Sequence, residues 1–122
     1  MIRKITMVAA SLILSQNAQA KEMVWTNIGS TKAGVSAYLS FDGSQVVGNI
    51  ARIWVKFEHP PERGLVKEVT LEEIDCKNDK IRSIQSVGYS VDGTSIWLKP
   101  EDWETPFPET FARNFVDIVC RR

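Results

Sequence analysis

The sequence predicts an α+β domain, in which an antiparallel β-sheet of five to six strands packs against one C-terminal α-helix and one disulfide joins the two. Apolar and polar residues alternate in short runs between residues 24 and 98, which is typical of half-buried strands. Beyond residue 110 the apolar spacing lengthens to three or four residues, which is typical of a helix. One cysteine falls in each part, at Cys76 and Cys120.

The first half of the sheet is predicted as three strand segments with glycine turns between them. Asp42-Gly43 indicates a hairpin turn, Gln45–Val47 begins the return, and Gly48-Asn49 indicates a bulge or tight bend. Four apolar residues alternate with polar or aromatic ones in the third segment, which makes it the clearest strand of the chain. The segments are Val24–Ile28, Ser36–Phe41 and Ile50–Phe57.

The second half begins after a proline-rich loop that carries His59, the only histidine. Consecutive prolines cannot donate hydrogen bonds to a strand ladder, so residues 58–64 are predicted as a loop. Asp92-Gly93 indicates a turn before the last strand. The predicted strands are Leu65–Cys76, Ile81–Val91 and Ile96–Leu98.

The C-terminal segment has the apolar spacing of an amphipathic helix. Phe111, Phe115, Ile118 and Val119 fall at positions i, i+4, i+7 and i+8, which form one helix face. Thr105 or a nearby residue is predicted as the N-cap. This face is expected to lie on the sheet.

Residues 1–20 have the pattern of a secretory signal peptide. Arg3 and Lys4 precede an apolar run of about ten residues, too short for a bilayer that needs roughly 20, and Ala18-Gln19-Ala20 supplies the small-residue cleavage site. We expect a single domain over residues 21–122, without a transmembrane segment, that is periplasmic or secreted. Lys21 stands where a lipoprotein would have a cysteine, so no lipid anchor is predicted.

Charge and cysteine usage narrow the classes of function. Without residues 1–20 the chain has 13 basic and 15 acidic residues, which gives no general attraction to nucleic acid. Two cysteines in an oxidising compartment predict a Cys76–Cys120 disulfide, worth on the order of 4 kcal/mol by chain entropy. Two cysteines and one histidine are too few ligands for a structural zinc, so neither a metal nor a cofactor is predicted.

A charged pair is predicted beside the disulfide. If Lys77–Lys80 closes a hairpin with Cys76 opposite Ile81, then Asp75 lies opposite Arg82 on the same face. The favoured interpretation is a structural ion pair that fixes the strand register. A catalytic pair is the alternative, but no nucleophile or base accompanies it.

Arg52, Trp54 and Lys56 share one face of a predicted strand and form the candidate ligand-binding site. A tryptophan between two cations can anchor an acidic or glycan partner. The favoured alternative is that Trp54 packs beneath the helix while the two basic side chains extend around it. The other tryptophans are likewise expected in the core: Trp25, Trp97 and Trp103.

No set of residues has the pattern of a catalytic site, so an enzyme is not predicted. His59 has no neighbouring nucleophile and is expected to be a solvated loop residue. The acidic residues near the predicted hairpin end are expected to face solvent: Glu72, Glu73 and Asp75. Three further acidic residues lack the spacing of a calcium loop: Glu101, Asp102 and Glu104.

Several residues in this order resemble the surface-adhesin E-like family of Gram-negative bacteria. They are Trp25, Trp54 within Ile53-Trp54-Val55, Asp75-Cys76 followed by Arg82, Trp103 before Pro106 and Pro108, and a helix ending at Cys120. The resemblance covers residues 24–120. It implies an antiparallel sheet with a packed helix, a disulfide, no enzymatic activity, and a role in adhesion to host extracellular-matrix and serum proteins.

The leading hypothesis is therefore a non-enzymatic envelope protein that binds a protein ligand, either a host matrix or serum protein, an envelope component, or a second copy of itself as a homodimer. The alternative is a periplasmic accessory or inhibitor protein of an envelope assembly or secretion apparatus.

Overall fold

The computed structural model describes residues 22–121, so the predicted signal peptide lies outside the described residues. The predicted α+β architecture is confirmed: six antiparallel strands lie side by side in chain order, and one helix follows them. A short 3₁₀ turn, Pro61–Arg63, occupies the predicted proline-rich loop. The elements are β1 Thr26–Ser30, β2 Ser36–Val47, β3 Ile50–Glu58, β4 Leu65–Asp75, β5 Lys80–Ser90, β6 Ser95–Leu98 and α1 Phe111–Cys120.

The core lies between α1 and one face of the sheet. Side chains of a strand alternate between faces, so every second residue of β2 and β3 points toward the helix. Phe115 and Val116 of α1 are fully buried, and the Phe57 ring lies 5.8 Å from the rings of both Phe111 and Phe115. The buried sheet residues packed with them are Ala37, Leu39, Ile53, Val55, Ile74 and Ile81.

The N-cap of α1 lies five residues later than the predicted cap, Thr105. Thr110 is the N-cap, with an extended backbone and a hydroxyl that accepts a hydrogen bond from the Arg113 amide at 3.2 Å. The predicted buried face is partly wrong, since Val116 is buried and Ile118 is 41% exposed. The helix face that packs on the sheet carries Phe115 and Val116, so Ile118 points toward solvent.

The predicted disulfide is confirmed, and it attaches the end of α1 to the β4–β5 hairpin. The Cys76 and Cys120 sulfurs are bonded at 2.03 Å. Arg113 adds a second connection, because its guanidinium donates two hydrogen bonds to the Asp79 carboxylate at 2.7 and 2.9 Å. Both attachments join α1 to the same turn, so they fix the position of the helix together.

The β2–β3 hairpin turns at Gly48-Asn49 rather than at Asp42-Gly43, so the predicted turn is wrong. Strand β2 continues through Asp42-Gly43 with an irregularity, since Ser40 pairs with Trp54 while Gln45 pairs with Arg52. Gly43 has a positive φ of 68°, which a bulge accommodates and L side chains rarely adopt. The Asp42 carboxylate accepts a hydrogen bond from the Val24 amide at 2.6 Å, which stabilises the bulge.

Across residues 22–121, no helix combines the length and the apolar character needed to cross a membrane.

Candidate functional site: the open face of the sheet

The face of the sheet opposite α1 is called the open face here. Ile53 and Val55 belong to the core under the helix, so Arg52, Trp54 and Lys56 point the other way. The prediction that these three share a face is confirmed, but the favoured expectation that Trp54 packs beneath the helix is wrong. Directly paired residues share a face, which extends the open face across the sheet to Tyr38, Val69, Leu71, Glu73, Arg82, Val87 and Trp97.

Lys56 is held among aromatic rings at one side of the open face. Its ammonium lies 4.6 Å from the centre of the Tyr38 ring and 4.9 Å from that of Trp25, within cation–π range. Its side chain is mostly buried. Lys56 therefore orders the two rings, whereas Arg52 is about half exposed and available to a partner.

A buried carboxylate between two arginines lies next to Trp54. Glu73 accepts a hydrogen bond at 2.8 Å from Nε of each of Arg52 and Arg82, while its own side chain is almost fully buried. Burial raises the pKa of Glu73, but the hydrogen bonds and charges of Arg82 and Arg52 outweigh it and hold the pKa below its ordinary value. The Arg82 guanidinium also lies 4.5 Å from the centre of the Trp103 ring. This cluster fixes both guanidinium groups on the open face.

The predicted Asp75–Arg82 ion pair is wrong. The β4–β5 turn is Cys76–Asp79, one residue earlier than predicted, so Asp75 lies opposite Lys80 and Glu73 lies opposite Arg82. Asp79 takes the positive φ of 57° that closes the turn. Asp75 instead accepts hydrogen bonds from the Asn78 side chain and from the Asn78 and Lys77 amides, which hold its pKa below the ordinary value.

Three consecutive exposed apolar side chains lie in β6, at one edge of the sheet: Ile96, Trp97 and Leu98. Within residues 22–121, β6 pairs with β5 on one side only, and all four of its residues are exposed. Trp97 on the open face is 68% exposed, so the expectation that it lies in the core is wrong. Trp103 is 36% exposed and Trp25 is half-buried, so these two are not core residues either. An apolar edge strand of this kind is a common pairing site for a partner chain.

The covered face contains a cavity of about 210 Å³ beside α1, and its most buried ionisable group is Glu72. Glu72 is only 8% exposed and accepts one hydrogen bond, from the Ser83 hydroxyl at 3.1 Å. Burial raises its pKa to about 7, and the charges of Glu101 and Glu104 add to the increase. The expectation that Glu72 and Glu73 face solvent is therefore wrong.

His59 is not the solvated loop residue that the sequence predicts. Its Nε2 lies 3.1 Å from Glu68 Oε1, and its side chain is mostly buried. No group of three or more potential ligands among residues 22–121 is placed to hold a metal ion. Glu68 lines the cavity, and its contact with His59 is a single hydrogen bond.

The sequence contains signals for two features that its analysis does not predict, the burial of Glu72 and the edge position of β6. Ile74 is a core residue, and Glu72 lies two positions before it, so the strand period places Glu72 on the covered face. The short segment before Pro100 has no strand predicted beyond it, which marks β6 as the edge. Neither the strand pattern nor the composition indicates that Arg82 would pair with Glu73.

This arrangement defines a class of protein: a single-sheet α+β domain whose helix is attached by a disulfide and lies on one face of the sheet. The chain belongs to the surface-adhesin protein E family, whose sequence profile matches residues 25–121. The family resemblance predicted from the sequence is thus confirmed. Membership indicates a surface-adhesin-like, exported protein with a non-enzymatic role. No curated protein and no solved structure matches the chain.

Proposed function

We propose that this protein is a non-enzymatic binding protein of the bacterial envelope that engages a protein ligand through the open face of its sheet. One observation carries the proposal: the face opposite α1 carries Arg52, Trp54 and Trp97, of which Trp97 is 68% exposed, Arg52 is about half exposed and Trp54 is partly exposed. Tryptophan, tyrosine and arginine dominate the residues that contribute most to protein–protein binding.

Arg52 and Trp54 form the centre of the proposed binding surface because a recess lies beside each of them. A recess of about 280 Å³ is lined by Trp54 together with Met23 and Asp42. A second recess, of about 270 Å³, is lined by Arg52 together with Val47 and Ile50. Protruding side chains of a partner fit recesses of this size, while the Arg52 guanidinium, oriented by Glu73, can bind a carboxylate.

Trp97 forms the second contact region, at the β6 edge. Trp97 lies on the same face as Trp54. The two residues are on strands β6 and β3, so a partner that contacts both must cover four strands. A partner that covers both regions would bury two tryptophans and meet a positive side chain at Arg52. The Lys56 ammonium makes cation–π contacts with the Trp25 and Tyr38 rings, so Lys56 orders these rings of the surface rather than binding the partner itself.

Because the family is one of surface adhesins, we take a host extracellular-matrix or serum protein as the first ligand to test. An envelope component, as in the periplasmic accessory or inhibitor role, and a second copy of the chain are the competing partners. The surface proposed here is the same for each of them, and the binding experiment separates them.

The test measures binding of the purified protein to immobilised extracellular matrix, to serum and to envelope lysate. Trp54→Ala and Trp97→Ala are each expected to weaken binding to matrix or serum at least tenfold, because the first removes the ring that lines a recess and the second removes an exposed ring. Phe107→Ala is the matched control, since Phe107 is 76% exposed but lies outside the sheet. Unchanged binding by both tryptophan variants would overturn the open-face site, and binding to lysate alone would overturn the adhesin role.

A further inference from the structure

The segment between β6 and α1 lies along the outer edge of β5 as an irregular strand, and residues 99–106 are called the strap here. Backbone hydrogen bonds attach it to β5: the Glu101 amide donates to the Ser83 carbonyl at 2.9 Å, and Glu104 exchanges two bonds with Ile81 at 2.9 and 3.0 Å. Lys80 adds a bond to Thr105 at 2.8 Å. The strap is thus held to the sheet by few contacts.

The strap brings two carboxylates to the cavity that contains Glu72. Glu101 and Glu104 both line this cavity, and the Ser83 hydroxyl lies between Glu72 and Glu101, at 3.1 and 3.5 Å. Among the described residues Glu72 has no cationic partner. Ionisation of Glu72 therefore places a buried, unpaired negative charge beside two others that belong to the strap.

We propose that Glu72 and the strap form a pH-sensitive latch, in which protonated Glu72 lets the strap lie against β5 and ionised Glu72 drives the strap away from it. The contacts that would be lost are those of Glu101 and Glu104 with β5. Because the strap also carries Trp103, its release would take that ring from Arg82 on the open face.

Other charged groups around the cavity do not neutralise Glu72. On β4, Glu68 is paired with His59, and on β5 the Arg82 side chain is directed to Glu73 and Trp103. Lys99 of the strap lines the cavity without an ion pair to Glu72. Helix α1 contributes only Ala112 to the lining.

The pKa of Glu72, raised to about 7 by burial and by Glu101 and Glu104, gives the latch its working range. An unfolded chain would release this proton near pH 4.5. The folded protein keeps it up to about pH 7, so protonated Glu72 stabilises the attached strap fully below about pH 4.5, and this stabilisation is lost as the pH rises from there through about 7.

The test is amide hydrogen exchange of the folded protein between pH 5.5 and 8.5, corrected for the intrinsic exchange rate at each pH. The protection factors of the Glu101 and Glu104 amides are expected to fall at least tenfold over this range, with a midpoint near pH 7. The Val55 amide of the central strand β3 is expected to keep its protection factor. A constant protection factor at Glu104 would overturn the latch.

Variants distinguish release of the strap through Glu72 from a general loss of amide protection at high pH. Glu72→Gln should keep the strap amides protected throughout, because the side chain can no longer ionise, while Glu62→Gln, on an exposed turn, should behave as the wild type. Glu101→Gln combined with Glu104→Gln provides a second measurement that leaves Glu72 in place, and it should reduce the fall in protection by about half or more. The same tenfold fall in Glu72→Gln would contradict the proposal.

Discussion

Glu72 and Glu73 are neighbours in β4, yet they occupy opposite environments. The strand pleat directs Glu72 to the cavity on the covered face and Glu73 to the two arginines on the open face. Both are buried, and the pKa of Glu72 is raised while that of Glu73 is lowered. The difference comes from their partners, because a hydroxyl stabilises a buried carboxylate far less than two guanidinium groups do.

Replacement of Glu73 by glutamine should destabilise the protein, and the effect should depend on pH. The carboxylate has a lowered pKa, so it contributes stability above about pH 4.5 and loses it as the pH falls through its folded-state value. Since both arginines are partly exposed, the expected loss at pH 7 is about 1–2 kcal/mol, below that of a fully buried pair.

Urea unfolding of Glu73→Gln and wild type at pH 7 and pH 3 measures this difference. The two proteins should differ at pH 7 and approach each other at pH 3. Glu62→Gln serves as the control for removal of an exposed charge. Equal stability at pH 7 would show that the arginines gain as much from solvent as from Glu73.

The burial and the partners of individual charged residues are harder to predict from the sequence than the strands that contain them. The composition of β4 identifies a strand but not which of its charged residues are buried, because that depends on which neighbouring strand supplies a partner. The Glu73–Arg82 pair follows from a turn that closes one residue earlier than Lys77–Lys80 suggests. A one-residue change in a hairpin turn moves each cross-strand pair by two positions, and thereby changes the partners of every charge.

At the scale of elements, the apolar residues of helix α1 are expected to contribute unequally to stability. Phe115→Ala should cost about 3–5 kcal/mol, because the ring is fully buried against the sheet and its loss leaves a cavity. Ile118→Ala should cost less than about 1 kcal/mol, since the residue is largely exposed. Thermal or urea unfolding of the two variants distinguishes the observed helix face from the one predicted by spacing. Similar costs for both would contradict the observed packing.

The strands themselves were predicted well, and the connections were predicted less well. Alternation identified β3, β4 and β5 because their covered faces carry regular apolar residues. Between β2 and β3 two glycine-containing dipeptides compete as turns, Asp42-Gly43 and Gly48-Asn49, and both glycines adopt positive φ. Local sequence cannot tell a bulge from a hairpin turn there, since the choice depends on the pairing of β2 with β3.

For the whole molecule, the disulfide is expected to be a main source of stability. The cysteines are 44 residues apart, so removal of the bond should cost about 4 kcal/mol in the chain-entropy model. A helix of ten residues is not stable in isolation, so the Arg113–Asp79 ion pair and the core must then hold α1 alone.

The double variant Cys76→Ser, Cys120→Ser tests this expectation by urea unfolding against the oxidised wild type. The variant should lose about 4 kcal/mol and should be unaffected by a reducing agent. Wild-type protein with reductant should approach the stability of the variant. An unchanged unfolding midpoint after reduction would show that the bond adds nothing to the other contacts of the helix.

The order of the strands along the sheet has a consequence for how the chain folds. Each of the six described strands after the first pairs with the strand just before it, so none of these pairings joins strands that are far apart in the chain. A chain that enters a compartment with its N-terminus first can therefore add one strand at a time to a growing sheet. Cys120 arrives after all six strands, when Cys76 is already placed in its hairpin. The disulfide can then form in a sheet that is already folded, and the C-terminal helix, the last described element of the chain, is the one that it attaches.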